Sequence, residues 1–386
     1  ELNELNQSAF RNSFIYEDQI SDLDMYYLFS VILKQNSILQ GIEDALTVAE
    51  QIKRYGFLKS EFDLAKKRHL DRLYQALTEE NTRSSEDFID EYIYHFIYDE
   101  MITGLAKEIE YTEDIFNSIS VEDLNNYFKN YLSSNNRLIS IVAPDFVTDL
   151  PTEADIEKLL KTVSQKNIKP YKFELKNIEL IKKDLSGSKI VKRKRFPRSN
   201  IIKLTLENGA DIYLKKTDFQ KDEILLKAFS WGGYSTANIE KIASAKYAED
   251  ILNYADLGEM SVNEKENLFQ ENFVDVFPMI SESGEGVTGK SNNKNLENMF
   301  KMLYLNFTDL RIKQNHVDRF IEKSINQYII DKENPKHESN LDYRKKLYQD
   351  HPRTMYPTDG FFQQINLEDV QNFYKDRFID GGSFDF

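Results

Sequence analysis

Residues 119–132 and 365–378 of this chain spell nearly the same helix twice. The first reads Ile-Ser-Val-Glu-Asp-Leu-Asn-Asn-Tyr-Phe-Lys-Asn-Tyr-Leu, the second Ile-Asn-Leu-Glu-Asp-Val-Gln-Asn-Phe-Tyr-Lys-Asp-Arg-Phe. Ile119/Ile365, Glu122/Glu368, Asp123/Asp369, Asn126/Asn372 and Lys129/Lys375 are identical pairs. Each copy opens on a good N-cap, Ser120 or Asn366, and places two acids in the first turn, where the helix dipole favours negative charge. In the first copy Leu124, Tyr127, Phe128 and Tyr131 form one apolar stripe, and the second follows suit.

The surroundings agree as well. An amphipathic helix precedes each copy: Leu58, Phe62, Ala65, His69, Leu73 and Leu77 share a face before the first. Phe320, Ile321, Ile325, Tyr328 and Ile329 supply the apolar residues before the second, over about 317–330. Arg137–Val142 after the first copy reads as a short buried strand closed by Ala143-Pro144. Gly382–Phe386 falls at the same spacing after the second, with Phe386 opposite Ser140. Such spacing leads us to expect two homologous units, the first cut short at its N-terminus and the second at its C-terminus.

Within the first unit, Asp24–Leu33 is apolar and branched, as a strand is, and helices are predicted near 39–54, 58–80, 85–99, 104–117 and 120–132. A helical-looking pattern precedes them at residues 1–6. Phe88, Ile89, Tyr92, Ile93, Phe96 and Ile97 make a stripe on the third helix. The second unit opens with strands at 201–206 and 211–214 around Asn208-Gly209, the strongest short hairpin signal. A strand at 223–231, a helix at 238–256, strands at 272–281 and 285–290, and a helix at 293–305 follow. Both units are predicted to be α+β, an antiparallel sheet with helices packed on one face. The expected domains are 1–150, a linker over 151–199 with a short helix at 153–163, and 200–386.

A length of 386 residues suits two domains. A net charge of −15 argues against a general nucleic-acid partner, since binding phosphates needs a basic face. The basic run Lys192-Arg193-Lys194-Arg195-Phe196-Pro197 therefore reads as a solvated linker strand. Cysteine is absent, which excludes disulfides and thiolate metal sites, and no apolar run is long enough to span a membrane.

Candidate chemistry is sparse. None of His69, His95, His316, His337 and His351 belongs to a paired-histidine zinc motif such as His-x-x-Glu-His: His69 and His95 sit on or beside apolar helix faces, and His337 suits a capping or surface position. Gly284–Ser291 matches Gly-x-x-x-x-Gly-Lys-Ser, the phosphate-cradling loop. Yet Glu285 would put a carboxylate in the cradle, and a strand rather than a strand-to-helix turn is expected there. Trp231-Gly232-Gly233 reads as a bulge or a close backbone approach.

Two stretches carry a family resemblance. Tyr55-Gly-Phe-Leu-Lys-Ser-Glu-Phe-Asp-Leu-Ala-Lys-Lys67 resembles a helix start of the insulinase/pitrilysin peptidases, the zinc enzymes with an inverted His-x-x-Glu-His motif. Leu206–Gly209, Lys215–Phe219 and Phe229–Ser235 resemble the opening strands of that family's third domain. Long members contain four homologous α+β domains in two halves, so the resemblance places 1–150 at the back of domain two and 200–386 in domain three. It implies a zinc-dependent metalloendopeptidase as the parent, acting on peptides and periplasmic or otherwise exported, with a cytoplasmic location as the alternative. The zinc motif would lie in another domain. At the matching place the resemblance aligns Ser244 and Ala248 with the two His ligands and Tyr247 with the Glu base, and none can do that work. The resemblance therefore implies a non-catalytic section with no catalytic, metal or cofactor residues of its own and with the remaining domains as partners. The alternatives are a non-catalytic partner subunit of the same fold and a nucleotide-binding protein using Gly284–Ser291.

Overall fold

The computed structural model describes the chain except residues 1–8, 22–23, 34–36, 132–136, 144–146, 173–178, 184, 221, 263, 266–267, 269–273, 333, 350, 352 and 355–356. The pattern at residues 1–6 lies outside the described residues. Residues 1–77 with 86–176 form one compact unit, and 78–85 with 177–386 form another.

The first unit begins with an antiparallel hairpin, β1 (Phe10–Ser21) and β2 (Asp24–Leu33). Helices α1 (Ile38–Tyr55), α2 (Lys59–Thr78), α3 (Ser85–Tyr98), α4 (Leu105–Ser118) and α5 (Val121–Tyr131) follow. The repeat helix α5 has the expected start. Ser120 Oγ accepts from Asp123 N (3.2 Å), and the Asp123 carboxylate accepts from Ser120 N (2.8 Å), a capping box built with Asp. Halfway along, Asn125 grips the peptide at the entrance to α2: its Oδ1 accepts from Phe57 N (2.7 Å), and its Nδ2 donates to Phe57 O (3.2 Å). Phe128 fills the space beneath, with ring centroids 5.1 Å from Phe57 and 5.5 Å from Tyr27.

Helix α6 (Glu153–Gln165) docks on α1 and buries Ile156 and Val163. Its C-terminal carbonyls have no intrahelical donors left. Arg54 of α1 supplies them, donating to Ser164 O (2.7 Å), Lys166 O (2.7 Å) and Val163 O (3.4 Å). Gln51 adds a bond to Lys169 O (2.8 Å), and Tyr55 one to Ile168 O (2.7 Å). A guanidinium at the negative end of a helix serves the hydrogen bonds and the dipole together.

Two expectations fail in this unit. Residues 137–143 form no strand, and Leu138 and Val142 are 91% and 93% exposed. A central strand needs a neighbour on each side, and the hairpin β1–β2 is the only sheet of this unit among the described residues. The stripe on α3 also stays uncovered: Ile89, Tyr92, Ile93, Phe96 and Ile97 are all exposed.

In the second unit β3 (Ile190–Phe196), β4 (Ile201–Leu206) and β5 (Asp211–Lys215) form an antiparallel meander whose second turn is Asn208-Gly209, with φ of 95° at Gly209. Strand β6 (Ile224–Trp231) pairs with β9 (Gly284–Ser291), which also pairs with β8 (Asp275–Ile280). Between β6 and β8 lie α7 (Ile242–Lys246), α8 (Ala248–Leu252) and the short β7 (Asp256–Leu257). After β9 come α9 (Leu296–Thr308), β10 (Leu310–Arg311), α10 (Gln314–Lys332), α11 (Pro335–Tyr348), α12 (Asp359–Phe362) and α13 (Leu367–Phe378). The order of strand hairpin and five helices in the first unit thus recurs from β8 to α13.

The last residues join the strand sets into one sheet. Asp385 bridges Asp211 of β5 in parallel and Phe229 of β6 antiparallel. Tyr213 N donates to Phe386 O (2.6 Å), Phe386 N to Asp211 O (2.8 Å) and Asp385 N to Phe229 O (2.9 Å). The helices cover one face of this sheet, around a core that includes Ala228, Ile251, Leu252, Val287, Met299, Val317, Val370 and Phe378. The chain is therefore α+β, as its sequence patterning requires. The basic run around 192–197 is no detached linker: it is the outer strand of this sheet.

The repeat extends to its contacts. Gln371, opposite Asn125, donates to Ile312 O (3.0 Å) at the entrance to α10, as Asn125 does at the entrance to α2. In the first unit, Arg54→Ala should cost about 1–2 kcal/mol, the loss of a charged donor to several carbonyls. Urea unfolding gives the magnitude, and faster amide exchange confined to 163–170 identifies the cause.

Candidate functional site

Residues 242–252 carry the three positions with a family counterpart. Ile242, Ala243, Ser244, Ala245, Ala248, Ile251 and Leu252 are all buried, while Lys246, Glu249 and Asp250 keep one side of the segment polar. One helix was expected over 238–256; two short ones form instead, parted at Tyr247, whose φ and ψ are −106° and 14°. That conformation turns its ring toward α10 and α12. The centroids of Phe320 and Phe362 are each 5.3 Å away, and Phe361 is at 6.3 Å.

Ser244 is 1% exposed, and its Oγ accepts from Asn366 N (3.2 Å). Asn366 is the N-cap of α13, its Oδ1 accepting from Asp369 N (2.9 Å). Ser244 thus fixes the start of the repeat helix. Ala248, 0% exposed, offers only a methyl group to the core. The structure brings all three residues together on one segment, and their donor chemistry does not fit a zinc ion. One hydroxyl is engaged, one position has no heteroatom, and the phenol stands among phenylalanines. Among the described residues no group of three or more His, Cys, Asp or Glu could hold a metal.

The histidines are scattered. His69 is exposed against the Phe116 ring (5.6 Å), and His95 Nδ1 lies 2.5 Å from Glu100 O. His337, expected as a capping or surface residue, is buried beside Tyr328 (5.7 Å), because the third residue of α11 faces the core. His316 is also buried; its Nδ1 accepts from Lys313 N (3.2 Å), and burial pushes its pKa down against the pull of Asp256.

Gly284–Ser291 is strand β9, paired along its length on both sides. Its amides are committed to the ladder and cannot cradle a phosphate, which removes the nucleotide reading. The glycines answer to packing instead. A Cβ on Gly286 would stand 2.0 Å from Ala228 O, and one on Gly284 would stand 2.5 Å from the Phe229 ring.

Glu285, within the same run, is the centre of an arrangement that no sequence motif announced. Its side chain is fully buried and pairs with Arg377 of α13. Its Oε2 accepts from Gly233 N (2.5 Å), and Arg377 also donates to Trp231 O (2.9 Å). Gly233 must be glycine here: φ is 64°, and a Cβ would lie 2.3 Å from Ser281 O. The one legible signal was the Gly232-Gly233 pair, which brings the backbone within reach of the carboxylate.

An open groove of about 300 Å³ lies beside Tyr247, lined among others by Asp250, Tyr254, Phe320, Lys323 and Phe362. Burial raises the Asp250 pKa, with Glu249 adding to the shift. No sequence motif marks this groove, whose residues come from separate helices.

No family model matches the chain. It is 25% identical over 186 residues to a zinc protease PQQL-like from Arabidopsis thaliana, covering 48% of this chain and 20% of that one. It is 21% identical over 294 residues to a probable zinc protease PqqL from Haemophilus influenzae, covering 75% and 31%. Among solved structures, the ferredoxin protease FusC, a mutant bound to Arabidopsis ferredoxin, superposes with a TM-score of 0.61 at 16% identity, over 100% of this chain and 42% of that chain. The periplasmic protease PqqL of Escherichia coli gives 0.51 at 16% identity, over 98% and 42%. The chain is thus related to zinc proteases in sequence and has their insulinase-type α+β fold. It spans less than half the length of each of these relatives.

Two expected outcomes follow from the buried polar groups. Glu285→Ala leaves Arg377 without its carboxylate and should cost about 2–3 kcal/mol, the low end for a buried pair because Arg377 reaches solvent; denaturant unfolding measures it. For His316, the folded pKa is depressed below 6.5. Its contribution to stability is therefore present above the unfolded value and is lost as pH falls through the folded one. Unfolding free energies at pH 7.5 and at about pH 5 should differ less in His316→Gln than in the native chain.

Proposed function

We propose that the chain is a non-catalytic section of a zinc-dependent metalloendopeptidase that degrades peptides. In this reading residues 1–150 are the back of a second peptidase-like domain, 151–199 join the halves, and 200–386 are a third domain. Its work is structural: it forms wall for the peptide-holding chamber and part of the joint between halves. Zinc, the general base and the water they activate belong to another domain of the parent protein. The parent is exported, as one relative described as periplasmic suggests.

The observation that carries the reading is the fate of residues 244, 247 and 248. Where a catalytic domain of this fold needs two imidazoles and a carboxylate facing a cavity, Ser244 and Ala248 are sealed in the core and Tyr247 is packed among rings. A buried alanine and a hydroxyl engaged to an N-cap support a fold released from catalysis.

The 386-residue protein should cleave no peptide from a quenched fluorescent library, and it should retain far less than one zinc per chain after dialysis. A stoichiometric zinc ion that survives dialysis, or peptide cleavage abolished by a chelator, would sink the proposal. In the gene, a His-x-x-Glu-His helix encoded ahead of Glu1 is the expected neighbour.

A further inference from the structure

The basic run that the sequence singled out carries more charge than the joining role proposed above for 151–199 requires. It forms β3, the outermost strand of the seven-part sheet arrangement in the second unit, and the two outer edges of that sheet are treated differently. At the far edge, residues 276, 278 and 280 of β8 point the same way, by strand alternation. Asn306 Nδ2 donates to Val276 O (3.4 Å), Pro278 has no N–H to offer, and the Glu249 carboxylate accepts from Ile280 N (2.5 Å). Side chains and a proline close that edge.

Nothing comparable closes β3. Among the described residues no strand pairs with its outer side. Residues Ile190–Arg195 are exposed, Ile190 and Val191 at 59% and 61%. Among the described residues no carboxylate forms an ion pair with Lys192, Arg193, Lys194 or Arg195, although Lys192 is near enough to Asp211 to help lower its pKa. The carboxylate facing this end of the sheet, Asp211, is bound instead to Lys203 (2.6 Å) and Thr205 (2.6 Å). Alternation sends Arg193 and Arg195 to one face and Lys192 and Lys194 to the other, where Lys194 lies over the Phe196 ring (4.7 Å). A strand added at this edge would meet cations on both faces.

We propose that the outer edge of β3 is a docking site for an acidic peptide segment in extended conformation, which adds to the sheet as a further strand. The backbone ladder would hold the segment without regard to sequence, and the cations would select for Asp and Glu. A second copy of this chain is the wrong occupant, since β3 against β3 sets like charges together. The chain as a whole carries −15, so an acidic partner is repelled elsewhere and drawn to this strand. The inference does not rest on the peptidase reading and would stand if that reading failed.

Fluorescence anisotropy at low salt tests it, with a labelled octapeptide alternating Glu and Val, its Lys-Val counterpart, and a Glu-Val version N-methylated at alternate amides. The Glu-Val peptide should bind and the Lys-Val peptide should not. N-methylation should weaken binding by about tenfold or more, as should Lys192→Gln/Arg193→Gln/Lys194→Gln/Arg195→Gln in the protein. Should that variant misfold by circular dichroism, Arg193→Gln/Arg195→Gln should still weaken binding by at least about threefold. Absence of Glu-Val binding overturns the proposal. Equal binding of the N-methylated peptide overturns the strand addition. A single-stranded oligonucleotide that displaces the peptide at equal concentration makes the edge a site for polyanions and overturns the peptide reading.

Discussion

Helix α13 is the constraint on which the second unit depends. Its start is fixed from two sides, by its own cap at Asn366 and by Ser244 Oγ holding the Asn366 amide. Its middle inserts Val370, Tyr374 and Phe378 into the core. Near its end Arg377 reaches the buried carboxylate of Glu285, and beyond it Asp385 and Phe386 enter the gap between β5 and β6. Remove that last pairing and the sheet separates into two sets of three strands with free inner edges. A helix copied within one chain keeps its cap and its amide grip at Asn125 and Gln371, because those contacts are internal to each unit. Arg377 has no such twin, since Tyr131 stands at the matching place.

Much of this was legible in the sequence, and the pattern of success is physical. Features decided within a few residues came through: the capped repeat helices, the Asn208-Gly209 turn, the strands at 224–231 and 284–291 and the long helices after each hairpin. Features decided by a distant neighbour did not. Arg137–Val142 has the apolar, branched composition of a central strand, yet composition cannot provide the strands on either side. Phe384–Phe386 stands at the corresponding place in the second unit and does pair, because β5 and β6 are there to receive it. β1 escaped notice for the opposite reason: its Glu17, Asp18 and Gln19 dilute the strand signal, and only its register with β2 defines it. The α3 stripe shows that amphipathicity predicts the helix and not what covers it.

At the candidate site the residue types were legible and their surroundings were not. The segment around 244–248 was placed by the family resemblance alone. The structure tells what those side chains do there. A metal-binding helix must leave its ligands facing an opening, which costs packing on that side. With Ser and Ala at 244 and 248 that side of the segment is enclosed in the core, and the chain parts at Tyr247, whose ring joins those of α10 and α12. The Ser244 hydroxyl is engaged by the Asn366 amide at the start of the repeat helix. A histidine placed at 244 would therefore remove that contact with α13 as it supplied an imidazole.

Gly284–Ser291 makes the same point from a different direction. The letters of a phosphate loop are glycines with a lysine and a hydroxyl, chosen there for amides that point together at an anion. In β9 the glycines answer to another demand. Phe229 lies over Gly284, and Gly286 admits the backbone of Ala228. Glu285, which would repel a phosphate, is engaged by Arg377 and by the amide that Gly233 presents in a left-handed conformation. Those glycines open two approaches to one carboxylate, from the strand that bears it and from the loop that crosses it. The acid therefore sits at the seam where β6, β9 and α13 meet, and its charge is what obliges an arginine to stand at the end of the repeated helix.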